Sequence, residues 1–179
     1  MKKIITVFGS SKPIENEDQY LTAYSLGKQL AQNGFNICTG GFGGIMEAAS
    51  KGAVECGAEA IGVTVNLWTS RANKYLTKEI VCETLFDRIN KLIELGNGYI
   101  ILQGGTGTLL ELAAVWEYSN KGLLDQKPIA CHSKIWKVIV SEMNQQMKLE
   151  GRSHNWVKTF ETIDEVVDYF NSNLKKSGT

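Results

Sequence analysis

Short apolar runs alternate along the chain with longer segments in which apolar residues recur every three or four positions. The short runs predict buried strands, and the longer segments predict amphipathic helices. Strands are predicted at residues 4–8, 35–38, 60–65, 80–83, 98–102 and 128–132. Helices are predicted at residues 15–33, 44–56, 84–95, 108–121, 134–149 and 162–174. The polar and aromatic segment 66–78, with Trp68, Arg71 and Lys74, predicts an irregular loop.

This alternation predicts an α/β fold of the Rossmann-like, doubly wound class. Strands separated by helices of ten or more residues form parallel βαβ units, with helices on both faces of one sheet. No repeat or linker divides the chain, so a single domain of residues 1–179 is expected. In such folds ligands bind beyond the carboxyl ends of the strands.

Three glycine-containing turns follow predicted strands: G-S-S at 9–11, G-G-F-G-G at 40–44 and G-G-T-G-T at 104–108. Each lies at a carboxyl strand end, so all three are expected at one rim of the sheet. Glycines let a backbone approach an anion, and a helix N-terminus adds free N–H groups. One such turn alone is equally well explained by the tight bend between a strand and a helix. Three at one rim favour ligand binding.

The details of the turns disfavour two familiar nucleotide sites. Met46 and Leu110 stand where G-x-G-x-x-G needs its third glycine, so NAD binding is poorly supported. The chain also has no G-x-x-x-x-G-K-[ST] loop for a triphosphate. Backbone donors without a P-loop lysine suit a smaller anion, such as the phosphate of a nucleoside monophosphate.

Arg88 stands out in the predicted helix 84–95. On a helical wheel it falls inside the apolar arc, between Leu92 and Leu95. An arginine there either extends along its stem to solvent or meets an acceptor in the interior. The sequence leaves both outcomes open.

Glu111 lies in a predicted helix, 108–121, that is apolar on nearly every side. Such a helix is expected to be buried by the sheet, by neighbouring helices and by a second subunit. The Thr108-Leu-Leu-Glu111 spacing also fits a capping box, in which Glu111 only binds the Thr108 N–H. A carboxylate beside a phosphate would repel it. If Glu111 serves a ligand, it should therefore face a polyhydroxylated or cation-like part, such as a ribose ring.

Composition narrows the functional classes. Nineteen basic and nineteen acidic residues cancel without a basic run, which disfavours nucleic acid and membrane partners. No apolar run could span a bilayer, and the N-terminal residues are interpreted as a strand rather than a signal peptide. Four scattered cysteines predict buried, reduced thiols in a cytoplasmic protein. Two isolated histidines predict no metal site.

The stretch Q-G-G-T-G-T-L-L-E at 103–111, with Arg88 upstream, resembles the LOG family of cytokinin-activating phosphoribohydrolases, whose pattern is P-G-G-x-G-T-x-x-E. Segments 39–53 and 116–129 and the V-F-G-S-S start extend the resemblance over most of the chain. Many relatives carry the label "possible lysine decarboxylase". The sequence has no motif for a lysine that holds pyridoxal phosphate, so decarboxylation is not supported.

The resemblance implies hydrolysis of the N-glycosidic bond of a nucleoside 5′-monophosphate, without metal or cofactor, by a homodimer. Arg88 and Glu111 would be catalytic. The 5′-phosphate would be held by Gly104, Gly105, Thr106, Gly107 and Thr108. The opposite wall would be formed by Gly40, Gly41, Gly43, Gly44 and Met46, with Gly9 and Ser10 at the rim.

Two departures from the family pattern keep an alternative open. Gln103 stands in place of the family proline, and Ile89 in place of the lysine that follows the family arginine. Loss of that lysine removes one positive charge from the expected nucleotide site. The alternative is a nucleotide-binding or cofactor-binding carrier of the same fold that does not hydrolyse its ligand.

Overall fold

The computed structural model describes residues 2–67, 71–124 and 127–174. Trp68 of the predicted loop lies outside the described residues, as do residues 125–126 of the family-like stretch 116–129 and the last five residues of the predicted domain.

Seven strands and six helices alternate along the described chain. The strands are β1 Ile4–Phe8, β2 Asn36–Thr39, β3 Ala60–Val65, β4 Lys78–Cys82, β5 Gly98–Ile101, β6 Ile129–Cys131 and β7 Val157–Thr159. The helices are α1 Asp18–Gln32, α2 Ile45–Glu55, α3 Leu85–Leu95, α4 Thr106–Asn120, α5 Lys134–Leu149 and α6 Ile163–Leu174.

The sheet is parallel throughout and has the strand order β4-β3-β2-β1-β5-β6-β7. The strand order reverses between β1 and β5, because β2 to β4 extend the sheet on one side and β5 to β7 extend it on the other. A ligand crevice is expected at that point, beyond the carboxyl ends of β1 and β5.

Helices cover both faces of the sheet, and each face has its own apolar core. On one face, α1, α2 and α6 pack around side chains such as Leu26, Ile45 and Phe170. On the other, α3, α4 and α5 pack around Leu92, Val115 and Trp136. The described residues therefore form one α/β domain of the Rossmann-like class, which confirms the predicted fold.

The predicted elements differ from the observed ones mainly at their ends. α4 begins at Thr106 rather than Thr108, with Gly105 as its N-cap. β7 was not predicted, because its three residues are too short for a pattern and only Val157 is buried. Between β3 and β4, residues 71–77 are irregular, as predicted for the part of that loop that the structure describes.

All four cysteines are free, with Cys38 and Cys131 buried and the other two half-buried. Burial raises the pKa of the Cys38 thiol to about 12, so this group is not a thiolate near neutral pH. Across the described ranges, every helix is too short or too polar to cross a bilayer.

Candidate active site

A cleft of about 640 Å³ opens at the carboxyl ends of β1 and β5, where the strand order reverses. We call it the central cleft. Segments that follow β1, β2, β3 and β5 contribute to its wall, together with α2, α3 and α4. Its lining residues are Gly9, Ser10, Ser11, Lys12, Phe42, Gly43, Met46, Arg71, Arg88, Gly105, Thr106, Gly107, Thr108 and Glu111. All three glycine turns thus reach one site.

The first turn of α4 forms one wall of the central cleft. Gly105, Thr106 and Gly107 are exposed there, and the first N–H groups of a helix lack partners within the helix. The loop before α4 is fixed to the end of β1, because the Ser10 N–H donates to the Gln103 carbonyl at 3.0 Å. This wall is therefore suited to an anion.

Arg88 is buried at the floor of the central cleft, with 5% of its surface exposed. Its Nε–H donates to the Val63 carbonyl at 2.8 Å, and an Nη2–H donates to the Gly40 carbonyl at 3.3 Å. The guanidinium carbon lies 5.8 Å from the centre of the Phe42 ring. Of the two outcomes left open by the sequence, the structure shows the internal one: β3 and the turn after β2 fix the guanidinium.

Glu111 lies beside Arg88 and is 8% exposed. An Nη1–H of Arg88 donates to Glu111 Oε1 at 3.4 Å. This distance exceeds the roughly 2.7–2.9 Å typical of a tight ion pair. Because α4 begins at Thr106, Glu111 stands in the second helical turn, and Thr108 is not the helix cap. The capping role for Glu111 is therefore wrong, since α4 starts earlier than the spacing indicated.

Burial dominates the electrostatics of Glu111. Removal from water disfavours the carboxylate and raises the pKa of Glu111 to about 7, although Arg88 acts in the lowering direction. The carboxyl group therefore exchanges a proton close to neutral pH. A group with this property can give or take a proton during a reaction.

Four glycines expected at the site are not among the residues that line the central cleft: Gly40, Gly41, Gly44 and Gly104. A Cβ at Gly40 would lie 1.8 Å from Arg88 Nη2, so glycine there leaves room for the guanidinium. Gly44 caps α2 with φ +69°, a conformation that favours glycine. These two positions shape the turn that holds Arg88.

Lys12 and Arg71 also line the central cleft, although the sequence did not single them out as site residues. Lys12 follows the G-S-S turn directly, and that proximity was the available signal for it. Arg71 comes from the irregular segment after β3, which has no motif. With Arg88 they place three cations against the single carboxylate of Glu111.

The two departures from the family pattern have simple structural settings. Gln103 is exposed, and the bond to Ser10 uses its backbone carbonyl, which any residue supplies. Ile89 of α3 is 3% exposed and belongs to the apolar core that also contains Leu92 and Val115. Within the described ranges, no group of three or more acidic, histidine or cysteine side chains is arranged to hold a metal ion.

Comparison with known proteins agrees with this geometry. Residues 2–156 match the profile of the SLOG cluster4 family. The chain belongs to this family. The predicted LOG resemblance is thereby confirmed, because the relatives of this family member include one protein named as a nucleotide 5′-monophosphate nucleosidase and another named as a cytokinin riboside 5′-monophosphate phosphoribohydrolase.

Two of these relatives are bacterial enzymes. The chain is similar to the pyrimidine/purine nucleotide 5′-monophosphate nucleosidase of Escherichia coli, with 34% identity over 106 residues. That match covers 54% of this chain and 23% of the relative, so the chain spans about a quarter of that protein. It is also similar to the cytokinin riboside 5′-monophosphate phosphoribohydrolase of Mycobacterium tuberculosis, with 30% identity over 70% of this chain and 67% of the relative.

Among solved structures, this family member resembles the Moco carrier protein of Chlamydomonas reinhardtii. The TM-score is 0.75 at 26% identity, and the match covers 98% of this chain and 99% of the other. The fold is thus shared over nearly the whole chain.

Proposed function

We propose that this protein hydrolyses the N-glycosidic bond of a nucleoside 5′-monophosphate, giving free base and ribose 5-phosphate. AMP and N6-substituted AMP, the cytokinin ribotides, are the proposed substrates. The observation that carries the proposal is a buried carboxylate with a pKa near 7, paired with a fixed arginine below a helix N-terminus. The names of the bacterial relatives support it.

The proposed chemistry needs a carboxylate close to the sugar. When the bond between C1′ and the base nitrogen breaks, its electron pair leaves with the base, and positive charge develops on the ribose ring. Ionised Glu111 stabilises that charge and accepts a proton from the water that attacks C1′. The departing base takes up a proton. Arg88 orients Glu111, and no step uses a metal or a cofactor.

The phosphate belongs at the α4 wall in this proposal. Gly105, Thr106, Gly107 and Thr108 surround the N-terminus of α4 and line the central cleft. Glu111 stands one to two turns further along the same helix, so a ligand lying along α4 would place its phosphate at the helix end and its sugar at the carboxylate. One helix thus positions both parts of the nucleotide.

The proposal is tested by product analysis. The purified protein is incubated with AMP, N6-substituted AMP and the other common nucleoside 5′-monophosphates, and free base and ribose 5-phosphate are quantified. We expect equal amounts of both products from at least one nucleotide. Because Glu111 must be ionised, kcat should rise with pH, reach half its maximum near pH 7 and level off about one pH unit higher. Release of neither product from any nucleotide would contradict the proposal.

A second candidate is a carrier that binds a nucleotide or a cofactor without hydrolysing it. The likeness to a Moco carrier protein supports it, as does the apolar Ile89 at the position of the family lysine. Such a protein should retain a nucleotide or the molybdenum cofactor through gel filtration without turnover. Hydrolysis that is lost in a Glu111→Gln variant would exclude this candidate.

A homodimer is the proposed assembly. α4 is not buried on all sides by its own chain, since Leu109 and Leu110 are 40% and 38% exposed. Leu109 is part of an apolar groove between α4 and α5, which is also lined by Trp116 of α4 and Met143 of α5. The Trp116 Nε1–H beside this groove is buried without a hydrogen-bond partner among the described residues. A second copy would cover this surface.

The free cysteines support a reducing compartment, and a cytoplasmic location is proposed accordingly.

A further inference from the structure

Residues 71–77, which join β3 to β4, are fixed against the turn that holds Arg88. The Asn73 backbone N–H donates to the Gly41 carbonyl at 2.8 Å. The Asn73 side-chain amide donates to the carbonyls of Gly41 at 3.1 Å and Phe42 at 3.0 Å, and its oxygen accepts from the Tyr75 N–H. Asn73 is therefore the point at which this segment is attached to the β2–α2 turn.

Further contacts hold the remainder of the same segment in place. The Thr77 N–H donates to the Ala60 carbonyl at 2.9 Å. The Lys51 ammonium of α2 lies 5.8 Å from the centre of the Tyr75 ring. The attachment thus extends from Asn73 to the start of β4, and Arg71 lies two residues before its first fixed point.

Arg71 reaches the central cleft from this segment and lines it together with Phe42 and Arg88. Arg88 and Glu111 are buried and paired at the floor, whereas Arg71 and Lys12 are exposed at the mouth. The surplus positive charge of the cleft therefore lies at its mouth, where the exposed first turn of α4 also opens. A cationic mouth above a carboxylate floor matches a ligand whose anionic group points outward and whose sugar points inward.

We infer that Arg71 binds the phosphate of the nucleotide at the mouth of the central cleft, and that Asn73 is the positioning residue that holds Arg71 there. The inference rests on the proposed function only in taking a nucleoside monophosphate as the ligand. Arg71 supplies a cation to the phosphate from the segment after β3, while Ile89 remains in the apolar core. A guanidinium suits this role because two of its N–H groups can meet two phosphate oxygens.

Binding measurements test this assignment without any need for turnover. Affinities for AMP and for adenosine are measured by calorimetry, with hydrolysis blocked by Glu111→Gln in every variant. Arg71→Met should weaken AMP binding by about tenfold or more and change adenosine binding by less than about twofold. Arg71→Lys should recover part of the loss. Lys74→Met removes the same charge from the same segment outside the cleft and should leave both affinities unchanged.

The positioning role of Asn73 is tested by coupling. Asn73→Ala should weaken AMP binding about as much as Arg71→Met, and the double variant should be no weaker than either single variant. Additive losses would show that Asn73 does not act through Arg71.

Two results would overturn the assignment of the phosphate to Arg71. One is an AMP affinity of Arg71→Met equal to that of Lys74→Met, and the other is an equal loss for AMP and adenosine. Because Arg71 is exposed, its substitution tests the assignment even if Asn73→Ala fails to fold. A wild-type protein that binds AMP through Arg71 but releases no base from any nucleoside 5′-monophosphate would contradict the proposed hydrolysis and leave this inference intact.

Discussion

Arg88 and Glu111 meet below the glycine turns, on neighbouring helices and almost out of contact with solvent. Arg88 is compensated by two backbone carbonyls as well as by Glu111. Glu111 accepts one long hydrogen bond from Arg88, and burial raises its pKa. A carboxylate held in this way costs stability to the folded chain. Such a cost is common at sites where a group is arranged for chemistry rather than for stability.

The raised pKa of Glu111 predicts a pH-dependent stability difference. Between about pH 4.5 and pH 7 the unfolded chain ionises Glu111 while the folded chain keeps the proton, so the folded state loses stability as pH rises. Glu111→Gln removes this term. Its free energy of unfolding should gain on that of the wild type by on the order of 2–4 kcal/mol between pH 4.5 and pH 8. Urea denaturation at a series of pH values measures the difference.

Glu117→Gln is the matched control for this experiment. Glu117 lies on the same helix but is exposed, and the pKa of Glu117 is lowered, chiefly by its hydrogen bond from Asn120. The free energy of unfolding of Glu117→Gln should not rise relative to that of the wild type as the pH increases. A Glu111→Gln curve parallel to the wild-type curve would show that Glu111 ionises normally.

In helix α4, an N-terminus that opens into the central cleft is combined with a buried carboxylate in the second turn. Gly107 lies inside this helix, and a Cβ built there meets no atom within 4 Å. Its glycine is therefore not required by the fold. The free space around it is where the proposed phosphate would lie, so stability and binding should respond to substitution in opposite directions.

Gly107→Ala should raise the free energy of unfolding by roughly 0.5–1 kcal/mol, because alanine favours a helix over glycine. The same methyl group should weaken AMP binding, since it occupies space beside the helix N–H groups. Thermal unfolding and calorimetry measure the two effects. A variant that is more stable and binds AMP as tightly as wild type would place the phosphate elsewhere.

Unlike Gly107→Ala, the substitution Gly40→Ala should lower the stability of the protein. Its Cβ would lie 1.8 Å from Arg88 Nη2 and 2.7 Å from Met46 Sδ. We expect a loss of about 1–3 kcal/mol in the free energy of unfolding, together with loss of catalysis, because the guanidinium must move. Unfolding and product release from AMP check this. Unchanged stability would mean that Arg88 is not fixed by this turn.

The sequence predicted the elements well where their patterns are long. α5 was predicted at its observed bounds, and α3 within one residue, because their apolar positions recur over three turns. It placed the start of α4 two residues late, since glycine and threonine carry no apolar pattern. It missed β7, an edge strand of three residues.

The residues of the candidate site also fall into two groups, those that the sequence identified and those that it missed. Arg88 and Glu111 are recognisable in the sequence because each places a charge on an apolar helix face. Arg71 and Lys12 did not, because they stand in irregular segments, where no periodicity indicates which way a side chain points. Their convergence depends on how the β3–β4 and β1–α1 segments fold over the sheet edge, and only the tertiary structure supplies that.

In the molecule as a whole, the position of the central cleft follows from the strand order of the sheet. The proposed dimer follows from the exposed apolar surface of α4. The central cleft lies where the strand order reverses, beyond β1 and β5. The helix that lines it turns its opposite side, with Leu109 and Ala113, toward the apolar groove shared with α5. Assembly through that groove would make α4 part of both the site and the subunit interface.

The proposed dimer predicts a mass of twice the 19.8 kDa chain by light scattering. Leu109→Glu should shift the protein toward the monomer, because a charge in the groove between α4 and α5 must be desolvated on association. Leu149→Glu is the control, since Leu149 is exposed at the end of α5 and outside the groove. A wild-type protein that is monomeric at micromolar concentration would contradict the proposed assembly.

The role of Glu111 in cleavage is tested most directly by the rate of ribose 5-phosphate release from AMP at pH 8, compared between the wild type and Glu111→Gln at saturating substrate. We expect release by the wild type and a fall of about 10²–10⁴-fold in kcat for the variant, with AMP still bound. A variant that releases ribose 5-phosphate as fast as the wild type would show that the buried carboxylate does not perform the cleavage.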